Sequence, residues 1–231
     1  MATYYNPKIV TNNLFLYLDA ANAKSYPGSG TAWKDLSGQN NDTTLVNGPT
    51  YNSNNSGCFV FDGTDDYINA NTALPDSFFL GNSTISFWIY FNTIDSDSQG
   101  QAILHHGTNS SMNGFHIMQR SSKVTLDLWG TALETASTFS VSTWYNLTNT
   151  HKNTTNACVI YINGSLDASS TLTASYTGSG NNCRIAGPII ESGVYHDELD
   201  AKIAQVLCYD KIITAAEVLQ NYNAIRSRFG V

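Results

Sequence analysis

The sequence is poor in charged residues, and this scarcity limits what the chain can bind. Asp, Glu, Lys and Arg make up 13% of its 231 residues, about half the share in an average globular protein. Lys and Arg together number 11 against 18 Asp and Glu, which gives a formal net charge of −7. Recognition of a phosphate backbone requires concentrated positive charge, and the basic residues form no cluster. We therefore expect no nucleic-acid partner.

Long apolar runs are also missing. No stretch reaches the roughly 20 apolar residues needed to span a bilayer, so we expect no membrane insertion. The N-terminus, MATYYNPKIVTNNLF, lacks the basic start and apolar run of a signal peptide. Either the chain is a mature or recombinant form, or the protein is made and assembled in a cytoplasm.

Patterns that carry catalysis are scarce as well. Retaining glycosidases need two carboxyl groups about 5 Å apart, which one face of a strand can supply at positions i and i+2. The chain has few glutamates, at positions Glu134, Glu191, Glu198 and Glu217, and they form no such pair. Asp65 and Asp66 are adjacent, so a strand would point them to opposite faces. With no GxSxG or HExxH motif, we expect no enzymatic activity.

The cysteines are few and widely spaced, at positions Cys58, Cys158, Cys183 and Cys208. The spacing excludes a CxxC metal pair. Each cysteine lies in or beside an apolar, strand-like run, which favours buried thiols that pack as small apolar groups. Disulfides are the alternative, and Cys58–Cys208 is the first pair to test.

Short alternating runs dominate what is present. In residues 84–91, Ile85, Phe87 and Ile89 fall on one face of a strand while Ser86 and Trp88 fall on the other. Similar runs are separated by turns rich in Gly, Asn and Ser, which is typical of a sandwich or barrel. The sequence therefore predicts an all-β fold in one domain.

Two local signals are specific. Asn163-Gly164 between two apolar runs predicts a hairpin with a type I′ turn, because both residues tolerate positive φ. Thr214 and Glu217 form a capping box at the start of a short C-terminal helix near residues 214–228. Its apolar stripe, predicted to pack on the sandwich, consists of Val218, Tyr222, Ile225 and Phe229.

Five segments in order resemble the laminin-G-like branch of the concanavalin A-like lectin/glucanase superfamily. They are AWKDLSGQNND (32–42), FVFDGTDDYI (59–68), STISFWIYF (83–91), STWYNLTNTHKNTTNACVIYINGSLDAS (142–169) and LDAKIAQVLCYDKIITAAEVLQNYNA (199–224). The resemblance implies two antiparallel sheets stacked as a jelly-roll sandwich over residues 14–231, preceded by an N-terminal arm at residues 1–13. The family's closing strand often carries an acidic pair, G-x-I-D-E-V, whereas this chain reads AKIAQV (201–206).

The opening, NPKIVTNNLFLYLDAANAKSYPGSGTAWKDLSG, looks like the version of the domain in structural proteins of tailed bacteriophages. That resemblance implies a virion surface protein, such as a capsid decoration, head fibre or tail adhesin, assembled in the host cytoplasm. Its expected partners are other virion proteins and host surface glycans, bound as a homo-oligomer or in many copies. The alternatives are a secreted or cell-surface carbohydrate-binding module and, third, a glycoside hydrolase.

Calcium is the ion that the sequence favours. It takes oxygen ligands from carboxylates, amides and carbonyls on a flexible turn, and Asp35 and Asn40 lie in such a turn. Asp66 joins them if the sheets stack as in the family. The alternative is an Asx-turn, in which Asp35 and Asn40 bond their own backbone.

A sugar site combines aromatic faces with polar groups that bond hydroxyls. Four residues at strand ends or in loops are candidates for ligand binding: Trp129, Tyr176, Tyr195 and His196. The other tryptophans, Trp33, Trp88 and Trp144, lie within the motifs and are predicted to be core residues.

Overall fold

The computed structural model describes residues 7–96, 100–108, 110–178, 180, 182–187 and 198–231. The strands, in chain order, are β1 (Leu14–Asp19), β2 (Ala32–Trp33), β3 (Thr43–Val46), β4 (Thr50–Asn52), β5 (Cys58–Asp62), β6 (Tyr67–Asn69), β7 (Asn82–Phe91), β8 (Gln101–Gly107), β9 (Gly114–Arg120), β10 (Lys123–Asp127), β11 (Ala132–Glu134), β12 (Trp144–Lys152), β13 (Ala157–Ile162), β14 (Ser165–Thr171), β15 (Cys183–Ile185) and β16 (Asp200–Tyr209). The helices are α1 (Asp76–Leu80) and α2 (Ala215–Ile225), and α2 runs into a 3₁₀ turn at Arg226–Arg228.

The strands form two eight-stranded sheets whose pairings are all antiparallel among the described residues. The back sheet has the order β14-β13-β12-β7-β16-β5-β4, with β1 paired to the second half of β16. The front sheet has the order β11-β10-β9-β8-β15-β6-β3-β2. The predicted all-β, two-sheet sandwich with a short C-terminal helix is confirmed.

The core lies between the two sheets and follows from the period of two along each strand. On β7, Ile85, Phe87 and Ile89 point into this core, as their alternation predicts. The hairpin between β13 and β14 turns at Asn163 and Gly164, both with positive φ (51° and 78°), which confirms the type I′ prediction.

A second apolar layer covers the outer face of the back sheet. Thr214 and Glu217 form the predicted capping box of α2. Trp88 on β7 stacks on Phe229, with ring centroids 4.1 Å apart, and Trp144 packs on the same ring. Trp33, Trp88 and Trp144 are all buried, so the prediction that they are core residues is confirmed. No helix among the described residues is long and apolar enough to cross a bilayer.

Residues 7–13, predicted to belong to a separate arm, pack against this layer. Val10 is buried with Tyr209 and Val218. Its N–H donates to Asn221 Oδ1 at 2.8 Å and its carbonyl accepts from the Tyr209 hydroxyl at 2.9 Å. The boundary expected at residue 14 is therefore corrected for these residues, which belong to the domain; residues 1–6 lie outside the described part.

All four cysteines are buried and free, as the favoured interpretation predicted. The alternative pair, Cys58–Cys208, is ruled out by geometry. Cys58 packs under the C-terminal segment with Trp88, while Cys208 points into the core between the sheets. A bulge on β16 between Ile203 and Gln205 sets the facing of its second half. The two thiols therefore lie on opposite faces of the back sheet.

Candidate functional site

The outer face of the front sheet carries a row of polar side chains. Strand pairing aligns one residue from each of six neighbouring strands: Asp127, His116, His105, Arg184, Asn69 and Thr44. The residues next to them, including Ile117 and Ile68, point into the core, so the row faces away from it. Neighbouring strands lie about 4.8 Å apart, so the distance from Asp127 to Asn69 is roughly 20 Å. We call this row and its flanking aromatics the front face.

Two ends of the front face differ in chemistry from its centre. At one end, the Arg184 guanidinium lies over the ring of Tyr67, 4.1 Å from its centroid, and both side chains are half-buried beside Asn69. At the centre, His105 and His116 are fully buried, with ring centroids 3.9 Å apart. Asp127, at the far end of the row, is also buried at 9% exposure. The accessible polar groups of the row are therefore in the half formed by Arg184, Asn69 and Thr44.

Trp129 lies at the other end, two residues after the end of β10. Its ring packs edge-on against His116, with ring centroids 5.5 Å apart. The backbone N–H of Trp129 donates to Asp127 Oδ1 at 2.6 Å. Asp127 is itself held by Arg120, whose Nη1 donates to Oδ2 at 2.9 Å. The half-buried Trp129 is thus positioned on the front face.

The backbone of Trp129 is unusual. Its φ of 53° makes it the one aromatic residue with positive φ in the described chain. A bulky side chain in the left-handed region is an outlier, and strain of this kind costs about 1–3 kcal/mol and concentrates at functional sites. The strain marks Trp129 as a functional candidate.

Tyr176 needs a correction, because it is a core residue. Its ring is 1% exposed and cannot offer a face to a sugar. Its hydroxyl donates to Asp76 Oδ1 at 3.0 Å and contacts His106 Nδ1 at 2.7 Å. Desolvation lowers the pKa of His106 to about 4, although nearby Asp76 opposes this shift. Because the sequence places Tyr176 in a loop, its burial in the core could not be predicted. The other two ligand candidates, Tyr195 and His196, lie outside the described residues.

Asp35 is engaged by its own turn. Its Oδ1 accepts from the N–H groups of Tyr17 and Ser37 at 2.9 and 2.8 Å, and its Oδ2 accepts from Ser37 Oγ and the Asn41 N–H at 2.6 and 3.1 Å. This is the Asx-turn alternative. Asn40 is exposed with φ 60°, a conformation that Asn tolerates.

Asp66 does not join Asp35, so the three predicted calcium ligands are not brought together. The Asp35 turn ends next to Thr43, which pairs with Trp33 at one end of β3. Asp66 precedes Tyr67, which pairs with Val46 at the other end of β3. The expected site is corrected for that reason: the register places these residues at opposite ends of a strand.

Asp66 instead belongs to a cluster with Asp62 and Asp65, in which one carboxylate oxygen from each lies within 4.8 Å of the others. Asp65 and Asp66 were expected to point apart, but they lie in the turn between β5 and β6, where strand alternation does not apply. Burial of Asp66, followed by the charge of Asp62, raises its pKa. Among the residues that the structure describes, these three carboxylates form the group that could hold a hard cation such as calcium.

A polar pocket of about 230 Å³ borders this cluster and is lined by Asp62, Glu198 and Asp200. Gln101 closes it, since its Oε1 accepts from the Asp200 N–H at 2.9 Å and its Nε2 donates to Thr93 at 3.0 Å. Carboxylates distant in sequence therefore meet at one end of the sandwich, which the search for strand-spaced pairs could not detect.

Sequence reasoning also missed Tyr67 and Arg184. The alternation of Tyr67, Ile68 and Asn69 was readable as one inward residue between two outward ones. Nothing local, however, shows that Arg184 pairs opposite Asn69, because the two strands are far apart in the chain.

Solved structures with the same fold include binding domains and sialidases. The binding domain of Paraclostridial Mosquitocidal Protein 1 matches with a TM-score of 0.68 and 19% identity, over 93% of this chain and 52% of that one. The binding domain of botulinum neurotoxin DC in complex with SialylT gives 0.68 and 18%, over 93% and 52%. Trypanosoma rangeli sialidase in complex with 2,3-difluorosialic acid gives 0.63 and 14%, over 95% and 34%.

The chain thus spans about half the length of these binding domains and about a third of the sialidase. A search of curated proteins found no match. The family model described as Concanavalin A-like lectin/glucanases superfamily (Laminin_G_3) matches residues 62–219, more than half of the chain. With the two stacked antiparallel sheets, this match shows that the chain belongs to the Laminin_G_3 family of the concanavalin A-like lectin/glucanase superfamily.

Proposed function

We propose that this domain is a non-enzymatic binding protein that recognises glycans on its front face. The observation that carries the proposal is the strained, half-buried Trp129 at one end of a polar row that has Tyr67 and Arg184 at the other end. Aromatic surfaces pack on sugar rings, and a few well-placed polar groups fix orientation. The roughly 20 Å between the ends matches a chain of several sugars rather than one.

The relatives of known structure support a binding role. The binding domain of botulinum neurotoxin DC was solved in complex with SialylT and, separately, in complex with rat synaptotagmin II, so a domain of this fold can hold more than one class of ligand. At 17–19% identity the likeness carries only the fold, so the front face itself carries the argument here.

A glycoside hydrolase is the second candidate, and the carboxylate cluster favours it. Two carboxyl groups about 5 Å apart, one with a raised pKa, are what a retaining enzyme uses. Asp66, the residue with the raised pKa, is only 5% exposed. Because its proton is not presented to a substrate, binding without hydrolysis is the function we propose.

Replacing Trp129 with asparagine is expected to weaken glycan binding about tenfold or more, as for a central aromatic contact. Asparagine accepts the left-handed backbone, so the variant keeps the turn. The measurement is a glycan array followed by calorimetric titration of the best ligand, with Tyr67→Ala as a second front-face variant.

Leu166→Ala is the matched control, since Leu166 is 63% exposed on β14 of the back sheet. It should bind as the wild type does. Equal affinity of Trp129→Asn and wild type, or no glycan bound by the wild type, would overturn the proposal. Release of free sugar that stops in Asp66→Asn would favour the hydrolase instead.

We also propose a calcium site in this domain. We place it at Asp62, Asp65 and Asp66 rather than at Asp35, since carboxylate oxygens are the preferred ligands of calcium. A ligand of the folded state raises the melting temperature, so calcium should raise it over that in EDTA. Asp65→Asn should reduce this rise; an unchanged melting temperature in EDTA would contradict the calcium site.

A virion surface is the setting we propose, and the phage-like opening of the sequence supports it. Weak contacts with glycans gain strength when many copies act together, and virion proteins usually assemble symmetrically. Mass spectrometry of purified particles tests this directly, because a virion protein must be present in many copies. Its absence from particles would leave the secreted or cell-surface module as the setting.

A further inference from the structure

A second pocket lies on the opposite side of the molecule from the front face. It is a groove of about 390 Å³ between the N-terminal segment, β1, the Asp35 turn and the end of α2. Its apolar walls include Ile9, Leu14, Leu36 and Ile225. The volume lies in the range of small-molecule sites, roughly 300–1,000 Å³. We call it the back groove.

The walls of the back groove are held in place by the fold. The Lys8 carbonyl accepts from Gln220 Nε2 on α2 at 2.8 Å, and Val10 is anchored to Asn221. The Tyr17 N–H donates to Asp35, which fixes the turn that carries Leu36. The N-terminal segment, β1, the Asp35 turn and α2 thus form a preformed apolar cleft, which lowers the entropic cost of binding.

The lining of the back groove carries a positive charge. Lys8 is the one charged residue among those lining it, although the whole chain carries a net charge of −7. Tyr17, the other large polar residue, directs its hydroxyl to Asp19 Oδ2 at 3.3 Å. The exposed Lys8 ammonium forms no ion pair with a carboxylate of the described residues. It is therefore available to a ligand.

We propose that the back groove binds a small amphiphilic anion. The apolar body lies between Ile9, Leu36 and Ile225, and its carboxylate, sulfonate or phosphate group lies beside Lys8. A neutral glycan does not fit this chemistry, because apolar walls leave its hydroxyls without partners. The groove is therefore a site of a different ligand class from the front face.

The probe for this site is 8-anilinonaphthalene-1-sulfonate, with neutral N-phenyl-1-naphthylamine as its uncharged counterpart. We expect both to bind the folded protein at neutral pH with saturable fluorescence. Lys8→Gln should weaken the sulfonate about three- to fivefold, as for an exposed ion pair, and leave the neutral probe unchanged. Added salt should reproduce the loss for the sulfonate alone.

Thr11→Trp places a large ring on the exposed rim of the groove and should abolish binding of both probes. Lys24→Gln is the matched control, because Lys24 is an exposed lysine outside the groove, and it should change neither probe. Circular dichroism and thermal unfolding check that each variant is folded. Unchanged sulfonate affinity in Lys8→Gln, or full binding by folded Thr11→Trp, would show that the probe binds elsewhere and overturn the proposal. The glycan array is unaffected by either result.

Discussion

Replacing Arg228 with alanine is expected to lower the free energy of unfolding by about 3–5 kcal/mol, the usual cost of removing one partner of a buried ion pair. For a chain of this size that is a fall in melting temperature of roughly 10 °C. Arg228 Nη1 donates to Asp19 Oδ1 at 2.8 Å, and the side chains are only 10% and 11% exposed. The guanidinium also donates to the carbonyls of Asn55 and Gly57.

The size of the effect comes from what alanine leaves behind. Asp19 would keep a buried negative charge without its cation, and the Asn55 and Gly57 carbonyls would lose their donors. Arg228→Lys should recover only part of the stability, since an ammonium cannot reproduce the planar, multidentate contact.

Arg226→Ala is the matched control in the same 3₁₀ turn. Arg226 is exposed and its guanidinium lies 5.7 Å from the Tyr222 ring centroid, a contact worth about 0.5–1 kcal/mol. Urea unfolding of the three variants gives the comparison. Similar losses in Arg226→Ala and Arg228→Ala would contradict the assignment of Arg228 as the main tie.

Lowering the pH from 7 to 5 is expected to cost about 2 kcal/mol of stability for each of two buried histidines, His106 and His151. Burial lowers the pKa of each from 6.5 to about 4. Between these values the unfolded chain binds the proton and the folded protein does not. Stability is therefore fully present above about pH 6.5 and is lost progressively as the pH falls toward 4.

His151 allows a clean test of this acid sensitivity. It is 1% exposed in the core, and neither ring nitrogen has a hydrogen-bond partner among the residues that the structure describes. His151→Leu removes the titrating group and two unpaired polar atoms, so at pH 7 it should match or exceed the wild type. At pH 5 its advantage should grow by about 2 kcal/mol.

Unfolding by urea at both pH values measures this difference, with His196→Leu as an additional histidine variant for comparison. An advantage of His151→Leu that stays constant between pH 7 and pH 5 would contradict the low pKa. Comparing the two proteins at each pH cancels the contributions of carboxylates, such as Glu217, whose pKa is lowered by its bond to Lys211.

Local patterns predicted the fold because each depends on neighbouring residues alone. Alternation placed Phe87 in the core, Asn163-Gly164 set the hairpin, and the Thr214 capping box started α2. These features need only backbone geometry and nearby side chains. A bulge interrupts the alternation of side chains along a strand. The bulge on β16 sets which face of the sheet Cys208 occupies, and the apolar alternation in the sequence could not predict the position of that bulge.

The candidate site was less predictable because it depends on register between distant strands. Trp129 was predicted as a ligand-binding candidate from its position at a strand end; the structure places it at the edge of the front face, and its role in binding stays a prediction. Tyr176 looked similar in sequence, yet its hydroxyl is bonded to Asp76, a hundred residues away. Partners at such separations are set by sheet pairing, which one sequence does not reveal.

The two ends of the described chain meet on the back sheet, and this determines how the domain can be displayed. Val10 is bonded to α2, and Arg228 is bonded to Asp19 at the end of β1. A carrier, label or solid support joined at the C-terminal residue, Val231, is therefore attached behind the sandwich. The polar row with Tyr67 and Trp129 then points outward from that support, so surface immobilisation through the C-terminus leaves it open to ligands in solution.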